Sequence, residues 1–200
     1  MSETVARSPD EVVPGPDGAL RCPWGVSAPE YVAYHDDEWG RQVRDDNGLF
    51  ERLTLEAFQS GLSWLTILRK RSNFRAAFAG FDIAAVAAFD QRDRERLLAD
   101  DGIVRNRAKV DAAITNARAA LRLDEPLSTL IWRFAPEART APDRLSDVPA
   151  NTAESRAMAK ELKRRGCVFV GPTTAYALMQ AAGLVNDHLG GCWARERVTT

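Results

Sequence analysis

From Asp46 to Gly183 the chain repeats one arrangement: a polar residue able to cap a helix, an apolar stripe at three- to four-residue spacing, and a glycine or proline that closes it. That succession leaves little room for anything but helices. In "DDNGLFERLTLEAFQSG", Asp46 or Asn47 can cap, Leu49, Phe50, Leu53 and Ala57 form the stripe, and Gly61 ends it. "LSWLTILRKRSNFRAAFAGF" gives one or two helices, and "FDIAAVAAF" starts on Asp82. "DQRDRERLLADDG" starts on Asp90, carries Asp93 at the third helical position and stops near Gly102. Val110, Ile114, Ala117 and Leu121 share a face of "NRAKVDAAITNARAAL". "LSTLIWRF" is short and closed by Pro136, and a capped helix runs from Thr152 to Gly166. "GPTTAYALMQAAG" has Pro172 at its first helical position and Gly183 past its end, the expected asymmetry. The best strand candidate, "CVFV", is four residues long. The fold class is therefore all-α, with about eight to ten helices.

Residues 1–20 are rich in proline, glycine and charge and lack sustained periodicity, so they read as a flexible tail. Residues 21–195 form a single helical domain, and 196–200 form a short C-terminal tail. The Pro-rich "RFAPEARTAPDRLSDVPA" is a long loop within that domain. A net charge of −1 excludes a uniformly basic coat but not a local basic face. Three cysteines, Cys22, Cys167 and Cys192, make no disulfide framework. No stretch reaches the roughly 18 apolar residues of a membrane span, and a cytoplasmic location follows as the expectation.

Only two histidines occur, His35 and His188. His188 and Cys192 stand four apart in "LVNDHLGGCW", where they share a helix face or a turn through the two glycines. Cys22 and His35 lie near the other end. Together they supply a two-Cys, two-His set suited to tetrahedral zinc. The alternative is that they are unrelated core or surface residues. Four protein ligands leave no open position for a reactive water, so such a zinc is structural and clamps the two ends of the domain.

"KELKRRGCVFVGPTTAYALMQAAG" reads helix, short hairpin, helix. Gly171 permits close backbone approach, and the following helix offers N–H groups at Thr173 and Thr174 with the positive end of its dipole. That layout suits a phosphate clamp, and it equally suits an ordinary pair of helices with a solvated basic end. Basic residues cluster before the hairpin, in "LRKRSNFR" and in "IVRNRAK", which favours a segregated basic face for a nucleic-acid backbone. Glu56 falls at the edge of, or within, the apolar stripe of its helix. A carboxylate there is paired, protonated or functional, or else reaches solvent from the helix edge. Trp24, Tyr31, Tyr34 and Trp39 crowd the segment around Cys22 and His35, and Trp64 follows Gly61. They read as core, or as a wall on which a flat ligand stacks.

The segments "RCPWGVSAPEYVAYHDDEWG", "LEAFQSGLSWLTILRKRSNFRAAF", "GIVRNRAKVDAAITNARA" and "KRRGCVFVGPTTAYALMQAAGLVNDHLGGC" resemble the 3-methyladenine DNA glycosylase I family from about Arg21 to Cys192. The resemblance implies a helix-hairpin-helix DNA-repair fold, with structural zinc on Cys22, His35, His188 and Cys192. It implies a base pocket in which Glu56 bonds the excised adenine, with Tyr34, Trp39 and Trp64 around it and Trp24 and Tyr31 nearby. It also implies a monofunctional glycosylase, a monomer, acting on 3-methyladenine in double-stranded DNA. Many helix-hairpin-helix glycosylases place an aspartate after the hairpin; Asp187 adjoins a zinc ligand and is not expected in that role. The rival readings are a binder of alkylated DNA that does not cut, a zinc hydrolase unrelated to DNA, and a metal-free helical scaffold.

Overall fold

The computed structural model describes residues 10–198, and among them lie ten α-helices, three short 3-10 turns and one two-stranded ribbon. The expected all-α class is observed. Strand β1 (Val13–Pro14) pairs antiparallel with β2 (Leu20–Arg21). Helix α1 (Pro29–Asp37) leads to the central α2 (Asp46–Gln59). Then come α3 (Trp64–Arg69), α4 (Arg71–Ala77), α5 (Ile83–Ala87) and α6 (Gln91–Ala99). The chain closes with α7 (Arg107–Leu121), α8 (Leu127–Trp132), α9 (Ala153–Arg164) and α10 (Pro172–Ala181).

Helix α2 is buried along most of its length because five helices, α3, α5, α7, α8 and α10, pack around it. Its Leu49, Phe50, Leu53 and Phe58 are fully buried. Phe58 meets Phe74 edge-on at 4.8 Å, and Phe78 stacks on Phe81 at 5.6 Å. Each such ring contributes about 1.5–3 kcal/mol by leaving water.

The start of α2 differs from expectation. Asp45, not Asp46 or Asn47, is the cap, accepting from Gly48 N at 2.7 Å. The next two residues cap other helices. The Asp46 carboxylate accepts from Leu127 N and Ser128 N at the start of α8, and the Asn47 side chain accepts from Ile83 N at the start of α5. Three consecutive polar side chains thus pin three helix N-termini to one point. Elsewhere the caps fall as read: Asp90 and Asp93 form a capping box on α6, and Thr152 caps α9.

"CVFV" is not a strand. Asn116 of α7 donates to Val168 O at 3.1 Å and accepts from Val168 N at 2.8 Å, taking the backbone groups a partner strand would use. Phe169 then turns with φ 58°, and the chain enters α10, which packs on α9. Gly183 ends α10 at φ 72°, where a Cβ would meet Gly40 O at 2.5 Å.

The expected flexible tail needs correction over residues 10–20. They form the β1–β2 ribbon, held by a hydrogen bond from Leu145 N to Asp10 O at 2.9 Å and another from Trp193 N to Leu20 O at 2.9 Å. The proline and glycine content that suggested disorder supplies the turn, with Gly15 N bonded to Ala19 O. The remainder of that tail, residues 1–9, lies outside the described residues, as do residues 199–200 of the C-terminal one. Val198 is buried, so the C-terminal segment also packs where a free tail was expected.

Candidate active site and metal centre

Helix α2 carries Glu56 into a cavity of about 400 Å³. The structure sets all five sequence-predicted aromatics around it: Trp24, Tyr31, Tyr34, Trp39 and Trp64. Trp24 lies in the 3-10 turn Pro23–Val26, Tyr31 and Tyr34 on α1, Trp39 just after it, and Trp64 opens α3. The rings touch in series: Trp24 packs edge-on against Tyr31 at 5.7 Å and Trp39 at 4.9 Å, and Tyr34 lies 5.4 Å from Trp64. Sequence reading missed Gln59, Leu145, Val148, Ala177, Gln180 and Asp187, which complete the lining. Gln59 was legible, one helical turn after Glu56; the others come from α10 and from loops far along the chain.

Glu56 is 6% exposed. Loss of water raises its pKa to about 8, so the carboxyl keeps its proton at neutral pH. The Tyr34 phenol is raised too, first by burial and then by Glu56. The buried Trp64 Nε1 has no hydrogen-bond partner among the described residues. A buried carboxyl and an unpaired indole N–H inside an aromatic wall suit a flat ligand with polar edges. Asp187, kept out of the site on sequence grounds, lines the cavity. Its carboxylate accepts from Tyr176 Oη at 2.6 Å and Gln180 Nε2 at 2.9 Å.

Behind this wall the two ends of the domain meet. Donor atoms of Cys22, His35 and Cys192 all lie within 4.8 Å of one another, and all three residues are buried. This group could hold a metal ion. His35 Nδ1 bonds Asp36 Oδ1 at 2.7 Å, and Arg21 Nη2 donates to that carboxylate at 2.8 Å. Nε2 is thereby left toward Cys192 Sγ, 3.5 Å away. A carboxylate that orients an imidazole from behind is the usual support of a histidine ligand. The neighbouring Cys22 thiol holds Cys192 below the usual thiol range, and the same contact with burial pushes Cys22 up. Gly25 makes room for the imidazole, since a Cβ there would sit 2.6 Å from His35 Cδ2.

His188, the fourth expected ligand, is fully buried beside the group but outside it. Its Nε2 lies 3.3 Å from His35 O and its Nδ1 3.0 Å from Asn186 Oδ1. Burial lowers its pKa to about 4, so the ring is neutral. His188 lies at a bend and Cys192 in irregular chain, not on a helix.

At the hairpin, Gly171 caps α10, Thr173 is exposed and Thr174 half-buried. Val168 and Phe169 are exposed at the tip. Five arginines of the expected basic clusters are paired with carboxylates. Arg164 and Arg165 pair with Glu161, Arg69 with Glu30, and Arg71 and Arg75 with Glu51. Lys109 faces inward, donating to Phe58 O at 2.8 Å and Ser60 O at 2.6 Å at the end of α2.

A helical domain that sets a buried carboxyl inside a wall of edge-on and tilted aromatic rings offers a pocket to a flat ligand with polar edges. The chain belongs to the methyladenine glycosylase family, whose sequence pattern matches residues 24–196. It is 48% identical over 178 residues to DNA-3-methyladenine glycosylase 1 of Escherichia coli, covering 86% of this chain and 95% of that protein. The Haemophilus influenzae DNA-3-methyladenine glycosylase is 44% identical, over 86% and 96%. A crystal structure of 3-methyladenine DNA glycosylase I superposes with a TM-score of 0.83 at 47% identity, covering 86% of this chain and 98% of that one. A Staphylococcus aureus structure, described as showing the basis of 3-methyladenine recognition, gives 0.82 at 32% identity, over 86% and 94%.

Proposed function

We propose that this chain hydrolyses the N-glycosidic bond of 3-methyladenine in double-stranded DNA, flipping the nucleotide into the aromatic cavity and leaving an abasic site. The observation that carries the reading is the buried carboxyl of Glu56 inside a cavity walled by Trp24, Tyr31, Tyr34, Trp39 and Trp64. Methylation at N3 puts positive charge on the base. Electron-rich rings attract that charge, and a carboxylate drawn into its ionised form by the cation completes the fit. Neutral adenine draws no proton from Glu56, so the attraction between opposite charges is missing.

The methylated base already carries the charge that weakens its bond to C1′. Cleavage sends the bonding pair to N9, so the base departs neutral and needs no proton from the protein. Water then adds to C1′ and releases its proton to solvent. Among the described residues no lysine lines the cavity; a monofunctional hydrolase without a lyase step is part of this reading. Extrusion costs a few kcal/mol. The N–H groups of Thr173 and Thr174, with Gly171 before them, would grip backbone phosphates and offset it.

Zinc fits the centre as a structural ion, held by Cys22, His35 and Cys192 with His188 alongside. When bound it would supply a cross-link of sulfur and imidazole ligands, closed to a reactive water once His188 adds the fourth. A monomer in the cytoplasm is part of the same reading.

The experiment is identification of the bases released from alkylated duplex DNA by the wild-type chain and by Glu56→Gln. Release of 3-methyladenine by the wild type and its loss in the variant are expected. Tight lesion binding without release would instead make the chain a recognition module.

A further inference from the structure

Residues 10–21 precede the stretch shared with the family, 24–196, yet two chains of contacts tie them to the site. One runs inward. The Asp17 carboxylate accepts from Arg21 at 2.6 and 2.9 Å, Arg21 donates to Asp36, and Asp36 holds His35 Nδ1. The other runs sideways to the Pro-rich loop. Leu145 N donates to Asp10 O at 2.9 Å. Ser146 N and Oγ donate to the Asp10 carboxylate at 3.1 and 2.5 Å. Arg144 meets Glu11 at 3.5 Å. Val12 and Leu145 pack on the same small core as Cys22, Leu189 and Cys192.

Leu145 and Val148 are walls of the base cavity. They belong to a long loop whose regular structure is limited to one 3-10 turn, Leu145–Asp147. A turn of three residues has little stability of its own. A pocket wall left to order itself on binding costs affinity, and one fixed beforehand does not.

We infer that Asp10 is a positioning residue: through Leu145 and Ser146 it holds the Leu145–Val148 turn as a preformed wall, so the N-terminal ribbon sets how tightly the pocket closes on its base. The inference rests on reading the cavity as the methylated-base site. Asp10 touches no reacting atom, and it acts on ground-state fit rather than on bond cleavage.

The test uses the full chain with Asp10→Ala, Asp10→Asn and Ser146→Ala. Binding of free 3-methyladenine is followed by tryptophan fluorescence, and KM and kcat are measured on alkylated duplex DNA. For Asp10→Ala, Kd and KM rise about three- to tenfold while kcat stays within about twofold. Asp10→Asn keeps a side-chain oxygen for Ser146 N and recovers most of the affinity; Ser146→Ala loses part of it. An Asp10→Ala chain that binds as the wild type does overturns the inference. So does loss of metal from that variant in parallel with affinity, because the effect would then pass through Cys22 rather than the loop. A wild type that neither binds nor releases 3-methyladenine fails the reading of the pocket itself and is thereby distinguishable.

Discussion

Replacing Glu56 by glutamine removes a titratable group from a site that is almost closed to water, and the consequence for stability can be worked out in advance. The ordinary carboxyl value is 4.5 and burial raises it to about 8 in the folded chain. Below pH 4.5 the group is protonated in both folded and unfolded chains and favours neither. Between 4.5 and about 8 the unfolded chain ionises while the folded chain holds its proton, so stability falls as pH rises. Above about 8 both are ionised and the loss is complete. At 1.36 kcal/mol per pH unit, the full loss is about 5 kcal/mol. Water in a cavity of about 400 Å³ softens the desolvation, so about 2–3 kcal/mol is the expected size. Urea denaturation of wild type and Glu56→Gln at intervals from pH 5 to 9 isolates the term, because every other titrating group cancels in the difference. The glutamine chain should gain on the wild type steadily across that window and level off above pH 8. Parallel profiles would mean that Glu56 is not neutral in the folded chain, and the selectivity argument built on its ionisation would fall with it. The same linkage reaches binding. A cationic base expels the proton, so lesion affinity should weaken as pH falls below about 8 in the wild type and stay flat in the glutamine chain.

Asn116→Ala strips both backbone partners from Val168 and should cost about 1–3 kcal/mol; KM for duplex DNA should rise while affinity for free 3-methyladenine holds. Lys109→Met leaves Phe58 O and Ser60 O without their donor and should destabilise by about 2–3 kcal/mol in urea denaturation, with weaker excision because the adjoining Gly61 turn leads to Trp64. Metal analysis should return one zinc per chain, and Cys22→Ser should abolish it; a wild-type content near zero would remove the structural-zinc reading.

The helices were legible because their signals are local: a cap, a stripe and a stop lie within one segment. The meeting of the chain ends was legible for a different reason, the scarcity of histidine and cysteine. What stayed hidden depends on partners distant in sequence. Asp45, Asp46 and Asn47 are three equivalent caps on paper; which one serves α2 depends on where α5 and α8 arrive. Lys109 reads as one more cation in a basic run until the end of α2 is placed against it. The ribbon at residues 10–21 has the composition of a tail and is ordered by Leu145, Ser146 and Trp193, more than a hundred residues on. Asp187 was set aside for adjoining a metal ligand, but neighbours in irregular chain can face different compartments. His188 points into the metal-side core while Asp187 lines the cavity.

That last arrangement explains why a metal centre without chemistry would belong in this enzyme. Tyr34 and His35 are consecutive on α1, so one helix presents a cavity ring and a ring of the Cys–His cluster at once. Trp24 stands between the two compartments, 5.1 Å from the His35 ring and 4.9 Å from Trp39. Trp39 in turn rests edge-on against His188 at 4.6 Å. The cavity-facing wall is therefore the front of a packed series of rings whose back is the Cys–His cluster. A displacement there is passed on through close-packed rings with little slack to absorb it. Damage to the cluster should thus weaken retention of the base, read as Kd for 3-methyladenine, before it unfolds the main core. That core is built on α2 and its phenylalanines and shares none of its members with the cluster around Cys22 and Cys192.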